Sequence, residues 1–285
     1  MLSYIKAILL ALVGGASAVL PLSATVNVSF LNKLLGGSAG EAHYYLGMVM
    51  FGTSAAILLM YYRQIYDVLF SGSERLKRRP EYGVHIPMFK AKDILIGCAP
   101  LLLLFLPIGK GVFLFNVSDL ILDGRMAIVE GAALIASGAV YFIAVAKSIK
   151  NKKYRKFNPI SMAAVGAVQM LCSVLPGASR TALTFSASAL FRHRKNKSVA
   201  YSYIVAVPAL ICGGFLNIIL GSATDAAVPV AALVITFVIS VIAALFGVLV
   251  FSAMAGEKKS RLFSYANIAL GVIALILGIV RLFIK

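Results

Sequence analysis

Nine residues in the second half of the chain, Pro176-Gly177-Ala178-Ser179-Arg180-Thr181-Ala182-Leu183-Thr184, set an arginine and three hydroxyls inside otherwise apolar sequence. Pro and Gly turn a chain, and the residues after them read as the start of a new helix. Backbone N–H groups at a helix N-terminus, with the hydroxyls of Ser179, Thr181 and Thr184 around them, make a cradle for phosphate. Gly177 belongs to the same set, as the turn that admits the ligand. Arg180 would add a permanent charge and a planar fork matched to phosphate oxygens. An Arg far from both membrane interfaces marks a functional site by default; the alternative is a structural Arg paired with backbone carbonyls or with Glu130. A second copy of the phrase lies earlier: "VLPLSAT" at 19–25 repeats the opening of "VLPGASRT" at 174–181. It offers Ser23, Thr25 and Asn27, although small hydroxyl residues also let membrane helices pack closely.

The elements that hold these two phrases follow from composition. Sixty-one percent of the residues are apolar and the mean hydropathy is +0.94, against about half apolar in a soluble domain. Tyr44–Tyr62, Met126–Ala146, Ala200–Leu220 and Val228–Met254 contain no Lys, Arg or Asp, and Leu262–Ile284 contains only Arg281, near its end; each approaches the roughly 20 residues that cross hydrocarbon as a helix. Asp93–Ile108 is shorter but nearly uncharged. Ten-residue alternation, the mark of a membrane β-barrel, is missing. The reading is an all-α integral membrane protein.

A net charge of +17 invites nucleic acid as a partner, but its placement argues for a bilayer. Twenty of the 27 Lys and Arg fall in Arg63–Lys92, Lys147–Lys156, Arg192–Lys197 and Lys258–Arg261. Such clustering is positive-inside bias, which puts these stretches on the cytoplasmic side against anionic lipid. Threading the chain through that constraint leaves two segments that start and end on one side. These are 157–191, broken at Pro176 and Gly177, and 2–35, broken at Gly14-Gly15 and Pro21. Both read as re-entrant helical hairpins. Each is followed by three spans, so the halves have opposite orientation. The expected architecture is an inverted-topology repeat, residues 1–147 and 148–285, with about six transmembrane helices plus two re-entrant hairpins and a site near the midplane.

Other readings are bland. Cys98, Cys172 and Cys212 form no CxxC pair and read as small core residues. Ala16-Ser17-Ala18 imitates a signal-peptide cleavage site, but the same phrase recurs at 174, where no signal peptide can be. His43, His85 and His193 fall in expected loops and are given no chemistry. Glu130 lies within a span near its outer end, as a partner of Arg180 or as an interfacial residue.

The run Pro176–Thr184 resembles the PGxSRSGxT motif of the undecaprenyl-diphosphate phosphatases, the bacitracin-resistance membrane enzymes. "YSYIVAVPALICGG" is similar to the family's following FSFLLAIPxxxGA segment, and "LPLSATVN" takes the place of its LPxSSTGH. The resemblance covers nearly the whole chain and implies the same inverted repeat, in a bacterial cytoplasmic membrane. It also implies a reaction: hydrolysis of undecaprenyl diphosphate to undecaprenyl phosphate and phosphate, which recycles the lipid carrier of cell-wall peptidoglycan.

The first motif is degenerate. Aligned on Pro21, the family's two glutamates fall on Gly14 and Ala18, its second serine on Ala24 and its histidine on Asn27. Ser23 and Thr25 are kept. Aligned on Arg63, a further Glu and Gln fall on Leu46 and Met50, and a glutamine before the second motif is displaced to Gln169. Diphosphate hydrolysis needs a base or nucleophile and usually a divalent cation held by carboxylates; phosphate binding needs the Arg, the hydroxyls and the helix N-terminus. The losses fall in the first group and the retentions in the second. Two readings stay open. One is a phosphatase using Ser23, Thr25 or Ser179 with substituted partners and Mg²⁺ or Ca²⁺. The other is a non-catalytic binder of polyprenyl phosphate or diphosphate, either a carrier or a sensor. No metal ligand is assigned, no cofactor is certain, nucleic acid is not a partner, and a homo-oligomer is allowed but not required.

Overall fold

Backbone N–H and C=O groups at membrane depth find no water and must pair within their own segment, so the apolar runs become helices. The computed structural model describes residues 2–70, 89–109, 112–113, 126–150 and 153–284. Helices α1 (Leu2–Val19), α2 (Ala24–Leu34), α3 (Ala39–Phe70) and α4 (Ala91–Cys98) come first. A 3-10 segment, Ala99–Phe105, and a short antiparallel pairing of Pro107–Gly109 with Val112–Phe113 follow. Then come α5 (Met126–Lys150), α6 (Pro159–Val174), α7 (Arg180–Leu190), α8 (Lys195–Ser222), α9 (Val230–Met254) and α10 (Arg261–Ile284). Helices α3, α5, α8, α9 and α10 are long and apolar enough to cross a bilayer. The chain is an all-α integral membrane protein.

The expected span Asp93–Ile108 takes a different form. It is an eight-residue α-helix that tightens into a seven-residue 3-10 segment. Pro100 stands at the change and lacks the N–H that would continue the α-helical ladder.

The segment expected over 2–35 is the pair α1–α2, and that over 157–191 is the pair α6–α7. Each pair is broken where Pro21 or Pro176 interrupts it. Helix α6 starts cleanly: Pro159 holds the first helical position, and Asn158 and Ser161 exchange backbone-to-side-chain hydrogen bonds of 2.8 and 3.1 Å. Helix α5 lies along α10, α3 along α8 and α9, and α1 along α9. Small residues allow the closest approach. A Cβ on Gly131 would sit 2.6 Å from the Gly271 carbonyl oxygen, and one on Gly271 would sit 2.7 Å from that of Gly131.

The polar features outside the apolar core act as fasteners. Lys195 at the start of α8 pairs with Glu257 in the loop before α10 and holds its carboxyl below the usual carboxylate range. His193, in the α7–α8 loop, stacks on Phe157 at 3.8 Å between ring centroids and lies 3.1 Å from the Arg155 carbonyl. His43 is in the second turn of α3, with Nδ1 3.0 Å from the Asn217 side-chain oxygen, rather than in a loop. His85 lies outside the described residues. The three cysteines are unpaired.

Candidate functional site

The two repeated phrases meet. The end of α1 and the turn after it leave carbonyls that no helix can satisfy, and side chains from the second half of the chain take up four of them. Thr181 donates to the Ala18 carbonyl at 3.2 Å, Tyr203 to that of Val19 at 2.7 Å, Asn267 to that of Pro21 at 2.7 Å and Ser179 to that of Leu22 at 2.9 Å. The Ser179 backbone N–H in turn donates to the Ser137 hydroxyl on α5, at 3.1 Å. Gly177, with φ +85°, makes the turn before α7. It sits so close to α5 that a Cβ there would lie 2.6 Å from both Cα and O of Glu130.

The expected hydroxyls therefore have specific occupations. Ser179 is the N-cap of α7 and accepts from the Ala182 N–H at 3.4 Å while donating to Leu22. Thr184 donates back to the Arg180 carbonyl at 2.8 Å. Protons of Ser179, Thr181 and Thr184 are committed to backbone oxygens: Ser179 and Thr181 join the tips, and Thr184 bonds within its own helix. Replacing Ser179 by Ala should lower stability by about 1–3 kcal/mol, since it removes a cap and a buried hydrogen bond together. Thermal unfolding in detergent reads this, and an unchanged midpoint would show that the two bonds contribute nothing.

What stays uncommitted is informative. Arg180 is the first residue of α7 and partly accessible, and among the described residues it makes no ion pair and no side-chain hydrogen bond. The pairing with Glu130 allowed by the sequence is not made; neither residue takes part in the ion pairs Lys6–Glu41 and Lys195–Glu257. In the first tip, Ser23 is buried at the N-cap of α2 without a side-chain capping bond. Thr25 and Asn27, one and three residues into that helix, are half-buried, and neither makes a side-chain hydrogen bond among the described residues. The Ser179–Leu22 bond makes Arg180 and Ser23 the next residues on either side of one contact. This is a positive charge beside a free helix N-terminus and three unbonded polar side chains.

The positions of the degenerate motif also come together. Ala18, Ala24 and Leu46 belong to one apolar cluster with Val28 and Val49, and Met50 packs against it. Gly14 joins it by contact: a Cβ there would lie 2.7 Å from Val28 Cγ2 and 2.9 Å from Val49 Cγ2. Carboxylates at these places would have faced one another; here the volume is filled by hydrocarbon. Among the described residues no three His, Cys, Asp or Glu side chains converge. A divalent cation for hydrolysis does not fit the residues present.

Sequence reasoning missed Ser137, Tyr203 and Asn267. For Asn267 a signal existed, an amide in the middle of an apolar span. A pair between buried Lys6 and half-buried Glu41 was also missed, since its partners lie 35 residues apart. Away from the tips, a cavity of about 560 Å³ opens between α3, α8 and α9, lined by Met48, Phe51, Phe215, Val234 and Phe237. Its apolar wall suits a hydrocarbon chain and no headgroup.

Comparison with known proteins follows the same lines. A profile of the family described as "Bacitracin resistance protein BacA" matches residues 7–273. The chain is 26% identical over 287 residues to an undecaprenyl-diphosphatase of Pyrobaculum islandicum, covering 100% of both chains. It is 24% identical over 305 residues to undecaprenyl-diphosphatase 2 of Clostridium acetobutylicum, covering 97% of this chain and 96% of the relative. An undecaprenyl-diphosphatase of Tropheryma whipplei is 25% identical over 230 residues, 78% of this chain and 80% of the relative.

Proposed function

The chain belongs to the bacitracin resistance protein BacA family, and from that premise we propose that it binds the phosphate end of a polyprenyl phosphate or diphosphate, undecaprenyl diphosphate among them, where the two tips meet. The observation that carries this reading is Arg180: a guanidinium at the first turn of α7, partly accessible and with no ion pair or side-chain hydrogen bond among the described residues. An unpaired arginine beside free helix N–H groups is built for an anion. Ser23, Thr25 and Asn27 complete the headgroup site. The lipid tail stays in hydrocarbon. In this reading the protein sits in a bacterial cytoplasmic membrane with its basic loops inside, and acts on the lipid carrier of cell-wall synthesis.

The reaction for which the relatives are named is hydrolysis of the diphosphate. Here the carboxylate positions are Gly14 and Ala18, and Val28 and Val49 occupy the space beside Gly14. Phosphate release from undecaprenyl diphosphate, with Mg²⁺ or Ca²⁺ supplied, should therefore fall about 10³-fold or more below that of a relative that keeps both glutamates. Release at a relative's rate would overturn the loss of chemistry and require a new catalytic set around Ser23 and Ser179.

A second reading, a carrier that moves the lipid across the bilayer, is favoured by the duplicated hairpins. In the proposed repeats, 1–147 and 148–285, α3 corresponds to α8 and α5 to α10, and each helix packs along its counterpart. That is the relation expected about a pseudo-two-fold axis in an alternating-access frame. Movement of a fluorescent isoprenyl phosphate between leaflets of proteoliposomes tests it; a leaflet distribution equal to that of protein-free vesicles would exclude it.

A further inference from the structure

The geometry points to Glu130 as a proton site linked to the anion site, so that the headgroup binds together with a proton. The inference rests on the proposed lipid-phosphate site and adds to it a regulated second ligand.

Glu130 stands in the second turn of α5, inside an apolar span. The other acidic residues of the described helices, Glu41, Asp67 and Asp93, sit in terminal turns. Glu130 is hemmed in on two sides. The next residue, Gly131, is pressed on the Gly271 carbonyl and Leu275 of α10, and the backbone of Glu130 itself carries the Gly177 turn. Among the described residues it makes no ion pair and no hydrogen bond. Glu130 is half-buried near one end of its span; an unpaired carboxylate against apolar surroundings is costly, and the cost falls when the group carries a proton.

The Gly177 turn that rests on the Glu130 backbone leads to Arg180 in three residues, and this packing is the route by which the charge state of Glu130 would reach the anion site. An ionised Glu130 opposes a phosphate on Arg180; a neutral one does not. Headgroup binding and protonation then favour each other, and by linkage the effect is reciprocal. The proton comes from water onto a carboxylate oxygen of Glu130, and no other bond changes. The other titratable or charged groups on the elements packed along α5 are Arg180 on α7, Lys258 and Lys259 in the turn before α10, and Arg261, Tyr265 and Arg281 on α10. Tyr141, Lys147 and Lys150 are on α5 itself. None is another carboxylate.

The test is calorimetric titration of the full-length protein in nanodiscs with farnesyl diphosphate, between about pH 5.5 and 8.5, in pairs of buffers with different ionisation heats. The wild-type affinity should fall by up to about tenfold per pH unit beyond the ligand's own titration, with uptake approaching one proton per ligand. Glu130→Gln should bind as the wild type does at its acid end, with no proton uptake beyond the ligand's own, and Glu130→Asp should keep the response. Identical pH profiles and proton uptake for wild type and Glu130→Gln, with binding intact, overturn the proton site and leave the headgroup site standing. Binding no stronger than that of Arg180→Ala at every pH overturns both. Should the Gln variant not fold, proton uptake by the wild type decides: a value no larger than that of the ligand's own titration overturns the inference.

Discussion

Replacing Arg180 by Ala is expected to abolish lipid-phosphate binding while leaving the fold intact. Two charge-assisted hydrogen bonds from one guanidinium contribute about 1.5–3 kcal/mol each. Affinity for an isoprenyl diphosphate should therefore fall on the order of 10²–10⁴-fold. Stability should move differently. Arg180 makes no ion pair and no side-chain hydrogen bond among the described residues, so its removal breaks neither and takes a charge without a counter-ion out of an apolar region. The unfolding midpoint of Arg180→Ala should be equal to or above that of the wild type. Ser179→Ala, one residue away, should show the reverse: a lower midpoint with a smaller effect on affinity. Arg180→Lys keeps the charge but loses the planar fork, and should cost about tenfold in affinity. Equal midpoints for all three variants, or unchanged affinity in Arg180→Ala, would remove the basis of the proposed site.

Much of this arrangement was legible in the sequence because two signals with different physical origins agreed. Charge clustering reports the side of the membrane, and the repeated "VLP" phrase reports a break in hydrogen-bonded backbone. Together they led to two interrupted hairpins, which appear as α1–α2 and α6–α7 with their tips in contact. Two things stayed hidden. The roles of Ser179 and Thr181 depend on which carbonyls stand opposite, and those carbonyls lie 157 and 163 residues away in the chain. Nothing in "PGASRT" distinguishes a hydroxyl aimed at a ligand from one bonded to Leu22. The tightening of 91–105 into a 3-10 segment was carried by Pro100 alone, and a hydropathy run is blind to it.

The degenerate motif was legible residue by residue, but its packing was not. Seen singly, Gly14, Ala18, Ala24, Leu46 and Met50 are five departures from the family's pattern. In the fold they surround one volume, shared with Val28 and Val49. Substitutions that meet in space are what a chamber requires if it is to lose its charges and stay folded, because one carboxylate left among hydrocarbon would be worse than none.

That coupling makes Gly14→Glu the most damaging single change expected in the first hairpin, even though it restores the family's residue. Its Cβ alone would lie 2.7 Å from Val28 Cγ2 and 2.9 Å from Val49 Cγ2, and overpacking of this kind costs about 1–3 kcal/mol. A carboxyl buried without a partner adds about 1–3 kcal/mol even when it is neutral. The combined loss, on the order of 2–6 kcal/mol, is a large fraction of the roughly 5–15 kcal/mol that holds a typical domain folded. Gly14→Glu should therefore give little folded protein in detergent, as judged by monodisperse elution and unfolding midpoint. Pairing it with Val28→Ala and Val49→Ala removes the steric part and should recover part of the folded yield. It should not recover hydrolysis, since Ala18, Ala24 and Asn27 remain as they are. A soluble, well-folded Gly14→Glu single variant would mean that the space beside Gly14 is open rather than filled. The missing carboxylates would then be a simple omission and not the outcome of a repacked core.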